Sequence, residues 1–265
     1  MGTSSSKIFF TGLKFFILVI VGLLWKLYYD NNCSVFIGAT FLVTFFLTIS
    51  FSESSLLYRK SLASIIFLDR SWIYSWLHTK WLSIMKSMFI TMFLTMVFLI
   101  NMLHWSTQIS IIMLLDGLFI YGLYMLIHNR ISVHAKENMQ GIATRRIVML
   151  INVLLMTPVV VISLLYTYPS DLLDASLLIT LQNSTLILDE VTCNIVSWLY
   201  AFDLLKENMS WWIIHKVSSV IESKEIKLIG WLLFLAFQTL YIWIFTKIIL
   251  STTIPFSTIF MKSEK

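Results

Sequence analysis

Only 14 of the 265 residues are acidic, and those lying inside long apolar runs are the ones whose type and spacing can do chemistry. Asp116 stands in the run Ile109–Ile127, followed by Gly117, with Tyr121 and Tyr124 a turn or two along. The run Ala175–Tyr200 holds Gln182, Asn183, Asp189, Glu190 and Asn194, and Leu228–Leu250 holds Gln238 and Lys247. Ionisable side chains in hydrocarbon are costly and turn toward a bundle interior, which makes them the default functional candidates. Asn183, Glu190, Asn194 and Ser197 are separated by seven, four and three residues, so a helix places them on one face. Gln182, Asp189 and Cys193 form an adjacent stripe. Paired carboxylates on such a face suit proton or cation handling; the alternative is an interhelical hydrogen-bond network.

Depth limits what Asp116 and Lys247 can do. Counting helical rise from Ile109, Asp116 lies about 10 Å below the outer surface, and Lys247 falls in the outer third of its own run. An ion pair between them is one outcome; a lysine that snorkels outward is the other, and costs less. A lysine in a seventh span also suggests a retinal Schiff base, but Lys247 is close to the end of its run and the third run offers no acid.

The elements that must position these residues are transmembrane helices. Hydrophobic residues make up 58% of the chain and charged residues 12%, with a mean hydropathy of +0.84. A water-exposed domain has no way to bury that much apolar surface. About 20 apolar residues cross a hydrocarbon core, and seven runs qualify: Ile8–Tyr28, Ser34–Phe51, Leu82–Leu103, Ile109–Ile127, Ile147–Tyr166, Ala175–Tyr200 and Leu228–Leu250. Backbone groups in lipid must pair within their own segment, so the expectation is an all-α polytopic transmembrane bundle forming a single domain over residues 1–265. Seven spans are expected, or six if Ala175–Tyr200 does not cross.

Basic residues assign the sides. Tyr29–Cys33, His104–Gln108 and Thr167–Asp174 contain no Lys or Arg, whereas 52–81, 128–146 and 203–227 contain most of them. The positive-inside tendency places those three stretches and the N-terminus in the cytoplasm. With seven spans the C-terminus is outside; with six it is inside. The membrane expected is an endomembrane in a eukaryote or the inner membrane of a bacterium.

The stretches 52–80 and 203–227 mix Trp, Ile and Leu with polar residues and read as cytoplasmic-side interfacial connectors. The loop bearing Arg130, Lys136, Arg145 and Arg146 sets topology and offers contacts to anionic lipid headgroups. Asn32-Cys33-Ser34 is a glycosylation sequon close to the membrane, and Gly2 begins a loose myristoylation pattern; both read best as chance. Cys33 and Cys193 are the only cysteines, and with Cys193 deep in an expected span no disulfide is anticipated. The five histidines make no metal-binding pair and no Gly-x-Ser-x-Gly turn occurs. No catalytic residue, metal or cofactor is therefore assigned. The function expected first is a non-enzymatic subunit or scaffold of a larger membrane complex, with the bilayer and other membrane subunits as partners and no nucleic acid. An ion or small-solute channel or transporter using the sixth run comes second, and a lipid-acting membrane enzyme third.

Overall fold

A computed structural model of the chain describes residues 2–29, 33–66, 80–134, 137–167, 193–220 and 223–254. Among them the chain forms helices α1 (Gly2–Tyr28), α2 (Cys33–Ile66), α3 (Lys80–Leu103), α4 (Thr107–Ile131), α5 (Glu137–Thr167), α6 (Asn194–Val220) and α7 (Lys224–Ser251), with no strand among the described residues. Five stretches are long and apolar enough to cross a membrane: Cys33–Glu53, Ser83–Leu103, Thr107–Ile131, Met139–Ser163 and Lys224–Ser251. The protein is an all-helical, multi-pass membrane protein.

Its outer surface is apolar, with Phe41, Phe89, Leu115 and Leu150 exposed, while small hydroxyl residues are buried. That inversion has a sequence cause. Thr40, Thr44, Thr48 and Ser52 recur every fourth residue on α2, and Ser83, Ser87, Thr91 and Thr95 do so on α3. Small side chains at that spacing let two helix backbones approach closely, the usual device for packing helices in lipid. The α2–α3 seam is the most extensive helix contact in the molecule. Thr91 donates to the Ser87 carbonyl (2.8 Å) and its oxygen lies 2.7 Å from that of Thr48 across the seam.

The polar contacts also fix direction. Lys26, near the end of α1, donates to the Trp105 carbonyl and to Ser110, so α1 ends where α3 passes into α4. Ser106 caps α4 by accepting from the Ile109 amide. The α4–α5 hairpin closes at the opposite end, where Gln140 donates to the Ser132 carbonyl and His128 meets Thr144 at 3.4 Å. Arg145 there pairs with Glu53 at 2.5 Å. Ser223 caps α7, which passes Lys206 at Tyr241 and reaches Phe51 at Lys247. So α7 runs from the His104 end toward the Glu53 end.

Four expectations change here. The cysteines are bonded: Cys33 and Cys193 form a disulfide with Cα atoms 5.3 Å apart. Cys193 immediately precedes α6 rather than lying mid-span, because the polar Asn194 starts a new helix. Residues 52–66 continue α2 without a break instead of forming a separate connector, while 67–79 lie outside the described residues. Finally, Asp203 and Lys206 adjoin His104 and Tyr241, at the end opposite to Glu53 and Arg145. The stretch 203–227 therefore does not share an end with the other basic stretches. The α6 segment carries Asp203, Lys206 and Glu207 and is not among the five spans.

Candidate functional site

The connection between α3 and α4 is only three residues long, and it carries His104. The imidazole stacks on Tyr200 of α6, with ring centroids 4.5 Å apart, and its Nε2 comes within 3.4 Å of Asp203. One turn on, Lys206 donates to Asp203 and to the hydroxyl of Tyr241 on α7. Asn101, His104, Trp105, Lys206, Glu207 and Tyr241 line a cavity of about 50 Å³.

Burial controls protonation in this cluster. It pushes His104 down to about 4; the Asp203 charge opposes that shift and the Lys206 charge adds to it. The imidazole is therefore neutral at pH 7, and its approach to Asp203 is a polar contact rather than an ion pair. Burial, aided by the Asp203 charge, pushes Glu207 up to about 7 even though Lys206 opposes it. Burial alone would lower Lys206, but the charge and hydrogen bond of Asp203 hold it above its usual value. The cluster thus contains one carboxyl that exchanges its proton near neutrality.

A second polar group lies deeper. The Asn152 amide nitrogen donates to Asp116 Oδ2 and to Thr246 Oγ1, both at 3.0 Å, and Thr246 donates to the Ile242 carbonyl. All three residues are buried, and Asp116 Oδ1 and Asn152 Oδ1 have no hydrogen-bond partner among the described residues. Asp116 makes no ion pair among the described residues. Met113 and Ile242 line the cavity above, and they precede Asp116 and Thr246 by three and four residues. That spacing is about one helical turn, roughly 5 Å of rise.

Of the residues expected from sequence, Asp116 enters this constellation and Lys247 does not. The Lys247 ammonium sits 3.8 Å from the Phe51 ring centroid and 5.4 Å from that of Trp243, so the Asp116–Lys247 ion pair is not formed. Nor does Lys247 snorkel at the His104 end, since α7 runs the other way. Asn194 is exposed at the start of α6. Asn183, Asp189 and Glu190 lie outside the described residues, as does Lys136. Arg130 and Arg146 are exposed, whereas Arg145 is committed to Glu53. Among the described residues no group of His, Cys, Asp and Glu can hold a metal ion.

Sequence reasoning missed Asn152 and Thr246, although Asn152 is the one side-chain amide in its apolar run. It also missed His104, Asp203, Lys206 and Glu207. The signal for the last three was the i, i+3 acid–base spacing in a stretch otherwise rich in Trp and Ile. Comparison with family models, with curated proteins and with solved structures finds no match to the chain.

Proposed function

We propose that this chain is a transporter that passes protons between the cavity at the His104 end and Asp116. The observation that carries the reading is the buried Asp116–Asn152–Thr246 group. It holds a carboxylate with no ion-pair partner among the described residues, one turn beneath a cavity whose Glu207 titrates near neutrality. Ionisable groups at membrane depth mark proton and ion pathways. In this reading six helices cross, α1 to α5 and α7, and α6 lies over the outer end. The Cys33–Cys193 bond supports the sidedness, because disulfides persist on the oxidising side of a membrane. The basic stretches at the opposite end then face the cytoplasm, where exposed Arg130 and Arg146 meet anionic headgroups.

A non-enzymatic complex subunit is the second reading. The polar stripe of the sixth run, which bore on both readings, lies largely outside the described residues, while Asp203 and Lys206 of α6 face His104 and Tyr241. One observation still favours it: the cavity is small, at about 50 Å³.

Purified protein in proteoliposomes with an internal pH dye decides between them. Wild-type protein alone acidifies the lumen under an imposed gradient, and Asp116→Asn removes that flux at least tenfold while the protein stays folded. No flux from wild type, together with a stoichiometric partner after mild extraction, sinks the transport reading in favour of the subunit.

A further inference from the structure

We propose that a second, apolar cavity between α1, α3, α4 and α7 binds the chain of a long-chain fatty acid, with its carboxylate held by Lys26. The cavity has a volume of about 120 Å³, and its walls include Phe15, Leu18, Phe98, Met102 and Phe245. A dry engineered cavity of about 150 Å³ holds a benzene ring, so this one takes a section of a hydrocarbon chain. Two wall residues, Leu23 on α1 and Leu114 on α4, are 51% and 43% exposed, which places an opening toward the lipid between those helices.

Two glycines let the wall side chains seat closely against the helix backbones. A Cβ on Gly117 would come within 3.0 Å of the Phe15 ring, and one on Gly22 within 3.2 Å of the Met102 methyl group. Both glycines line the cavity.

Lys26 is the only charged residue among the described residues of that lining, and it lies at the end where α1 finishes. Its ammonium donates to the Trp105 carbonyl at 2.6 Å and to Ser110 at 2.7 Å. An ammonium has three N–H donors, so the third suits a carboxylate oxygen at headgroup depth while the chain descends along Phe15 and Leu18. A single slot with a single remaining donor fits a one-chain acid better than a two-chain phospholipid.

The test uses the full chain in mild detergent with palmitate bearing a diazirine near its methyl end. Cross-links are mapped by mass spectrometry. Labelling is expected on α1, α4 or α7, and Lys26→Met is expected to lower it about tenfold. Leu114→Trp narrows the opening from an exposed position, leaves the fold intact and has a similar effect. Hexadecanol, lacking the charge, is expected to compete at least tenfold less well than palmitate. The proposal is overturned if both variants label like wild type, if the label lands elsewhere, or if hexadecanol competes as well as palmitate. Phosphatidylglycerol competing more strongly than palmitate overturns it as well.

Discussion

At the His104 end the bundle is fastened by the Cys33–Cys193 bond, by His104 stacked on Tyr200, by Lys206 bridging Asp203 and Tyr241, and by Lys26 on Trp105 and Ser110. At the Glu53 end the described contacts are all non-covalent. They include the Glu53–Arg145 pair, a 3.4 Å contact between His128 and Thr144, the Gln140–Ser132 bond, Lys247 over Phe51, and Lys14 of α1 donating to the carbonyls of Thr252 and Ile254 beyond α7. The first set joins five helices, partly by a covalent bond. The second ties α2 to α5 by one ion pair, α7 to α2 by a cation–π contact and α1 to the end of α7 through Lys14, with no covalent bond among them. Asp116 lies between these two ends. If it exchanges protons with both sides, the weakly fastened end is the one that opens at lower cost.

Removing the covalent fastening has the largest expected effect. The bond links residues 160 apart in sequence; on the loop-entropy scale this corresponds to about 5 kcal/mol. That figure is an upper bound, because helices left in a bilayer or micelle stay partly ordered after their packing is lost. Reduction, or Cys193→Ser, is expected to lower the thermal midpoint in detergent by far more than any change at the Glu53 end. Thiols that label readily in unreduced native membranes would show that the bond does not form, and the contrast between the ends would lose its main term.

The same contrast explains what the sequence made legible. Runs read as Ser34–Phe51, Leu82–Leu103, Ile109–Ile127, Ile147–Tyr166 and Leu228–Leu250 overlap the five spanning stretches, because hydropathy is a local property and lipid leaves helix as the solution. The four-residue Ser/Thr ladders of α2 and α3 were equally legible and went unread. Asp116 was singled out by its type alone. Its partners were not, since Asn152 and Thr246 are 36 residues from Asp116 and 94 residues from Asn152, respectively, and only packing joins them. Each crossing inverts everything after it, so a count of seven spans places Lys247 at the His104 end, whereas α7 carries it to the Glu53 end.

An intermediate effect concerns pH and the His104–Glu207 cluster. His104 binds its proton more weakly folded, at about 4, than unfolded near 6.5. Between those values the unfolded chain holds more protons, so this group makes stability rise with pH. Glu207 behaves oppositely. Its folded value of about 7 exceeds the unfolded 4.5, so its contribution is complete below 4.5 and is lost as pH rises toward 7. From about pH 4.5 to 6.5 the two slopes, each about 1.4 kcal/mol per pH unit at full strength, nearly cancel. Stability measured by denaturation is expected to be almost flat across that window. Glu207→Gln leaves a rising profile and His104→Asn a falling one. Parallel profiles for wild type and both variants would mean that the two groups are not buried together.

Breaking the Glu53–Arg145 pair is expected to cost least. The side chains are 19% and 11% exposed, which places the cost between that of a surface pair, about 1 kcal/mol or less, and that of a fully buried one, about 3–5 kcal/mol. Glu53→Gln keeps the volume and one acceptor but removes the negative charge facing Arg145. A shift in thermal midpoint smaller than that from Cys193→Ser is expected. If the Glu53 end is the one that opens, the same variant raises proton flux a few-fold, because a contact that holds only the closed form has been weakened. Stability and flux then move in opposite directions, which a merely structural ion pair would not produce. A Glu53→Gln loss as large as that of Cys193→Ser, or a fall in flux, would mean that both ends are held alike and that opening occurs elsewhere.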